Sequence, residues 1–564
     1  MMATTQHKKE NHMKEVISKL ISFILIIVVL SACAGSQASD SNQTNETIIT
    51  TVESEDTIIV GLEEALKKTN NNYLNENVQE STLISLEGNS ASSDSNQVII
   101  EENSIEIMST GSYMLIGDYN GQIRVNTEEE GQVQLILAGV KLTNDSNAPI
   151  YIEQVDEAII TVMQGSENII EDTSTYIEEE MEELDIERTN GAIYSKEDLV
   201  INGKGQLGIT TNDKTAILSK DDLIIYDVTL KIDAGRNGLK GNDLVYISGA
   251  TLDIQAEKKG IQSDILVDIN SATILVDSID DSVHSNDTVI IRSGNIALTT
   301  EDDGIHADNL IQIDGGIITV ENSYEGLEAK DIIINDGEVT INASDDGVNA
   351  TDGSTETVGR GGMMEGGSYD FGIHIHGGIL TINSYGDGLD SNGNIWMTGG
   401  TVIISGPISN GDGSIDYDGT FEMTGGVLVA TGSSGMLQTP SQISTINSLL
   451  VVLDNTMNAG TNVRITNDQE DILLDIVPEK SFTSVIYSSL DLVIGASYNI
   501  YINNERYTTI ELTDIITSYG ATGGLGGLRD GGMQKGERPA RTDGEMPQRP
   551  KGEMPEPSMD LPME

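Results

Sequence analysis

The sequence predicts an all-β chain wound into a parallel β-helix of about ten coils. Three observations carry this. Short apolar signatures recur at Ile193, Ile217, Leu239, Ile261, Val283, Ile305, Leu327, Val348, Leu389 and Ile415, in steps of 24, 22, 22, 22, 22, 22, 21, 41 and 26 residues. A fixed repeat of this length marks a solenoid or a propeller. Two further apolar pairs keep the same register within each period, as in Ile311/Ile313 followed by Ile318/Val320 and Ile395/Met397 followed by Val402/Ile404. Composition suits a narrow aliphatic core: aromatics make up 4% of the chain, and six of its ten prolines follow Arg538.

Each strand of a period shows apolar residues two apart, so both point to one side, and three short strands per turn define the coil. Gly-Gly turns at Gly315-Gly316, Gly377-Gly378 and Gly399-Gly400 separate the second strand from the third. Stacked coils bring like residues above like at about 4.8 Å, the spacing of strands in a sheet.

The other segments follow in order. Lys8, Lys9, Lys14 and Lys19 precede an apolar run at 20–30 and then Leu30-Ser31-Ala32-Cys33, so residues 1–33 read as an export signal too short to span a bilayer. Leu-Ser-Ala-Cys resembles the bacterial lipobox, which predicts acylation of Cys33 and a chain anchored at the outer face of the bacterial cell membrane. Cys33 is the only cysteine, so no intrachain disulfide forms. Residues 34–82, rich in Ser, Asn, Thr and Glu, are expected to be a disordered tether. Residues 83–190 are expected to form an N-terminal cap and first irregular coils, with 176–187 looping out. The repeats run over 191–439, with a Gly/Met-rich insert at 351–369 that accounts for the long step. A β cap is expected at 440–512 and a disordered tail at 513–564.

Charge bounds function. At −61 the chain is a poor partner for nucleic acid, which is held by Lys and Arg on phosphates. The acids are also patterned: Asp280-Asp281, Asp302-Asp303 and Asp345-Asp346 stand at one turn, before the signature, and Glu325 and Asp387 occupy that column in other coils. Stacked carboxylates repel, and Ca²⁺, which prefers six to eight oxygens, would turn the repulsion into coordination. Asp390, one residue after an inward Leu, offers another oxygen. Asp and Gly also suit tight turns without an ion, and Lys258-Lys259 lies one coil before the first pair. A solvated acidic ridge therefore stands as the alternative to calcium.

The segment 191–203, the Asp-Asp-Gly-[Ile/Val] turns and the stretch 432–441 resemble the clostridial-type carbohydrate-binding β-helix family, which is itself similar to calcium-dependent pectate lyases. The resemblance runs from about Leu83 to Leu512. It implies a right-handed helix, calcium held by aspartates at the coil turns, and binding of plant cell-wall polysaccharide, cellulosic or polygalacturonate-like. An elimination reaction additionally needs a Lys or Arg base near the metal. Arg236, Lys240, Lys258, Lys259, Arg292 and Lys330 are the main basic residues of the repeats, and salt bridges account for them more simply. A monomeric binding protein is the expected reading, with a polysaccharide lyase or a structural adhesin as alternatives. Trp396 alternates with inward Ile395 and Met397 and so points outward, where it either stacks on a sugar or lies under the 351–369 insert, the simpler of the two; Tyr385 is a weaker candidate.

Overall fold

The structure, a computed structural model, describes residues 81–174, 189–352 and 370–520. Cys33, the tether up to residue 80, the acidic stretch 176–187, residues 353–369 of the insert and the tail from 521 lie outside the described residues. What is described is all-β, without a helix: a parallel β-solenoid of about 14 turns with a period of about 22 residues.

The apolar columns are the reason. Ile261, Val283, Ile305, Leu327, Val348, Leu389 and Ile415 stack directly above one another on the first sheet. Val267, Val289, Ile311, Ile332, Ile373, Ile395 and Phe421 do the same on the second. On the third sheet, Leu252, Ile274, Ile296, Ile318, Val339, Leu380 and Val402 stack likewise. All of these side chains are at most 2% exposed and belong to one continuous core. Between them the outward residues alternate, so each turn offers solvent a repeating set of positions.

Glycine is required where turns approach each other. Gly400 adopts φ +76°, and a Cβ there would lie 2.6 Å from the carbonyl oxygen of Gly377 one turn below. Gly388 of the signature faces a different obstacle: its Cβ would meet Ile404 at 2.4 Å.

The solenoid is longer than the ten coils read from the signatures, because the segment from Thr82 already winds with the repeats. Ile123 stacks on Ile150, which stacks on Ile193. Register shifts between Leu115 and Gly117 and between Val125 and Asn126 hide this part from a fixed period. The N-terminal cap proper is small: the antiparallel pairs Thr82–Gly88 with Ala91–Ser92 and Val98–Glu101 with Ser104–Ile107.

The C-terminal end changes direction. Strand Phe482–Ser488 runs antiparallel to the last solenoid strand, Val427–Gly432, and to Ser448–Met457. Ile516–Tyr519 then pairs in parallel with Ser448–Met457, so ordered structure continues past residue 512. A four-stranded antiparallel sheet, in the order Ile472–Ile476, Val463–Thr466, Ser497–Ile502 and Glu505–Glu511, closes a second core around Val463, Phe482, Tyr487 and Tyr498.

Candidate metal and carbohydrate site

The turn that leads from the third sheet into the first carries two outward columns side by side. One lies two residues before the inward signature residue and reads Asn237, Lys259, Asp281, Asp303, Glu325, Asp346 and Asp387 along the chain. The other lies one residue after it and reads Lys240, Gln262, His284, His306, Glu328, Asn349, Asp390 and Asp416, each in register with the next.

The acids of the first column have a structural task. Asp281 Oδ1 accepts the backbone N–H of Asp303, Asp303 Oδ1 that of Glu325, Asp346 Oδ1 that of Asp387, and Asp387 Oδ1 that of Gly413. Asn237 Oδ1 starts the series on Lys259 N. Each carboxylate thus caps the turn above it, a role open to Asp or Asn with no ion present.

What happens to the remaining oxygens divides the ridge in two. In its first half, basic groups contact Asp280, Asp281, Asp303 and Glu328, although burial still pushes Asp303 up to about 7. Lys259 bridges Asp280 at 2.8 Å and Asp281 at 2.5 Å, and His284 Nδ1 lies 2.8 Å from Asp281. Burial opposes ionisation of Asp281, but His284 and Lys259 outweigh it and hold the carboxyl down at about 2. Asp302 is exposed, with an oxygen close to those of Asp280 and Asp281. One turn on, His306 stacks on His284 with ring centroids 5.0 Å apart, and its Nδ1 sits 3.2 Å from Asp303 and 3.0 Å from Glu328. Burial works against a charged imidazole there; the two carboxylates override it and push His306 up to about 11. His306 in turn holds Glu328 below its ordinary range.

The second half has no such partners. Oxygens of Asp346, Asp387 and Asp390 lie within 4.8 Å of one another, and among the described residues no Lys, Arg or His is in ion-pair contact with any of them. Burial, and then the neighbouring carboxylates, push Asp346 up to about 6 and Asp387 and Asp390 each up to about 8. Glu325, also lifted to about 8 by burial, accepts a hydrogen bond from Asn349 Nδ2 at 2.9 Å. Asn349 Oδ1 is buried without a hydrogen-bond partner, one step in register from Asp390. Three crowded carboxylates beside an orphaned amide oxygen form a donor set suited to a hard cation such as Ca²⁺. Asp345 is not part of it: its carboxylate takes a hydrogen bond from Tyr324 and pushes that phenol up to about 12. Sequence spacing singled out the three Asp-Asp pairs, whereas the structure gathers Asp346 with Asp387 and Asp390, across a turn boundary that the insert obscures.

The aromatic candidates fall on different surfaces. Trp396 points outward from the second sheet, partly exposed, and stacks on His374 with centroids 4.3 Å apart and planes 17° from parallel. Tyr385 stands at the turn beside Asp387, 57% exposed, with Lys480 Nζ of the C-terminal cap 4.7 Å from its ring centroid. Sequence reasoning had no signal for Lys480, which lies 96 positions away from the Ser384 carbonyl it bonds. It also missed a further acidic group, Asp198, Asp221 and Asp222, near the start of the repeats.

Fold and site together define a β-solenoid whose turns between the third and first sheets stack into a face rich in carboxylates. Residues 101–268 and 258–413 each match the model of a family described as carbohydrate-binding domain-containing protein, over more than half of the chain. The chain belongs to that family. A protein of the same description from Acetivibrio thermocellus (strain ATCC 27405) is 32% identical over 136 residues, which are 24% of this chain and 46% of that relative. The chain thus spans about half the length of that relative. A solved structure of a polysaccharide lyase-like protein from C. thermocellum, a gadolinium derivative, aligns with 63% of this chain and 98% of its own at 19% identity. Its TM-score of 0.29 carries no functional weight.

Proposed function

We propose that this is an exported, surface-anchored protein that binds an acidic plant cell-wall polysaccharide along the first-sheet turn face, with calcium at Asp346, Asp387 and Asp390. The single observation behind the metal is the unneutralised trio beside the orphaned Asn349 oxygen. When bound there, calcium supplies positive charge that offsets the carboxylates and attracts a uronate carboxylate. Asp346 and Asp387 keep one oxygen each on a backbone N–H, which fixes their side chains before any ion arrives. Trp396 offers an apolar ring for a neutral sugar face on the second sheet.

Binding is favoured over elimination because several of the basic residues are already engaged. Arg292 makes a bidentate pair with buried Asp268, and Lys259 is held by Asp280 and Asp281. Polysaccharide arrays run with and without EDTA test the reading. Retention on polygalacturonate should weaken in EDTA, and absorbance from unsaturated uronides should stay flat. Retention undiminished by EDTA overturns the calcium bridge, and rising absorbance overturns a binding-only protein. Trp396→Ala should weaken neutral glucan binding by about 1 kcal/mol and leave polygalacturonate binding unchanged.

Anchoring rests on Cys33 after its apolar leader. Cys33→Ser should free the protein from the membrane fraction or leave the leader uncleaved, as read by fractionation and N-terminal sequencing. A normally cleaved variant still held in the membrane would contradict it.

A further inference from the structure

A cluster of positive charge lies on the same turn face, before the acidic columns begin. A cleft of about 330 Å³, a size typical of small-ligand sites, is lined by Lys220, Arg236, Lys240, Lys258 and Lys259, with Asp280 its one carboxylate. These cations come from successive turns, in positions that carry Asp, Glu, His or Asn further along. Asn237 Nδ2 donates to Gln262 Oε1 at 2.6 Å, and both residues line the cleft. Lys259 is tied to Asp280 and Asp281, and Lys240 to Asp264 at 3.4 Å, so both are held at the rim in fixed positions.

We propose that this cleft is a second anionic subsite, independent of metal, that takes a uronate carboxylate of the same polysaccharide. The inference rests on the acidic-polysaccharide reading above. In a chain of net charge −61, a polyanion meets repulsion almost everywhere, so a cationic cleft is where it can land without an ion. Nucleic acid fits poorly, because the acids that flank the cleft would repel a phosphate backbone beyond a single charge. Five turns separate Lys259 from Asp387, roughly 24 Å at the spacing of strands. A polysaccharide segment of that length, lying across the stacked strands, would reach both places, one charge held by cations and another through calcium.

The test uses oligogalacturonate and isothermal titration, on the wild-type chain and on the double variant Lys220→Glu with Lys258→Glu. Both side chains are exposed, so the fold should be kept, and equal melting temperatures check this. In EDTA at low salt the wild-type chain should retain weak binding that fades as salt is raised, and the variant should bind about tenfold more weakly. With calcium the variant should still bind, and a neutral cello-oligosaccharide should not distinguish the two. Equal binding by both chains in EDTA, or no binding by the wild-type chain in EDTA with normal binding in calcium, overturns the cleft and leaves the calcium site standing. Absence of binding under both conditions overturns the acidic-polysaccharide reading itself.

Discussion

Ile313→Asp should destabilise the solenoid by more than about 4 kcal/mol, or leave no cooperatively folded protein at all. Ile313 has no exposed surface and stacks between Ile291 and Ile334 on the second sheet. A carboxylate at that position would be surrounded by aliphatic side chains with no donor to pair with, the costliest kind of burial. Ile313→Val, which removes one methylene, should cost only about 1 kcal/mol and serves as the control for side-chain size. Thermal melts followed by circular dichroism compare them. An aspartate variant that melts with its parent would mean that this side chain does not face the core.

The second large effect concerns the unneutralised acids, and it has a sign in pH. In EDTA, stability should fall as pH rises from about 4 to about 8. Asp387 and Asp390 are held up at about 8 in the folded chain, and unfolded they titrate near 3.9. Across that window the folded state therefore binds more protons, and it loses stability as they leave. Calcium needs the ionised forms, so the melting temperature should rise with calcium most at the alkaline end. At about 100 times its dissociation constant the ion adds about 2.7 kcal/mol. Asp387→Asn with Asp390→Asn should remove most of that shift and raise the metal-free melting temperature above pH 8. Asp280→Asn with Asp281→Asn should act oppositely, lowering stability by undoing the Lys259 and His284 contacts while leaving the calcium response in place. If calcium does no more than an equal ionic strength of sodium, the acids are a solvated ridge and the metal reading fails.

The inward columns were legible because they obey two periods at once, two residues within a strand and about 22 between turns. Ile305 and Leu327 announce themselves in this way. The turns around Ile123 and Ile150 belong to the same core, but register shifts nearby break the longer period, so only the fold shows their place. The acidic turns were legible as a column, and their charge state was not. Whether an acid is paired depends on neighbours one turn away: Lys259 below Asp281, Glu328 above His306. The basic cleft assembles by the same rule from Lys220, Arg236 and Lys258, which are scattered in the chain and adjacent in space. Lys480 over Tyr385 shows the limit, since a contact between cap and repeat has no period to betray it.

The reversal of strand direction at Phe482–Ser488 bears on how such a chain can change over evolutionary time. Every turn before it hands its neighbour a parallel edge, so one more 22-residue unit could be duplicated in mid-array and find ready partners on both sides. The antiparallel strand ends that permission. A duplication or truncation that stripped it from Val427–Gly432 would bare a long apolar edge, and the natural partner for that edge is another copy of the same chain. Length is therefore free to vary in the interior, while loss of the terminal block would expose lineages to fibre formation.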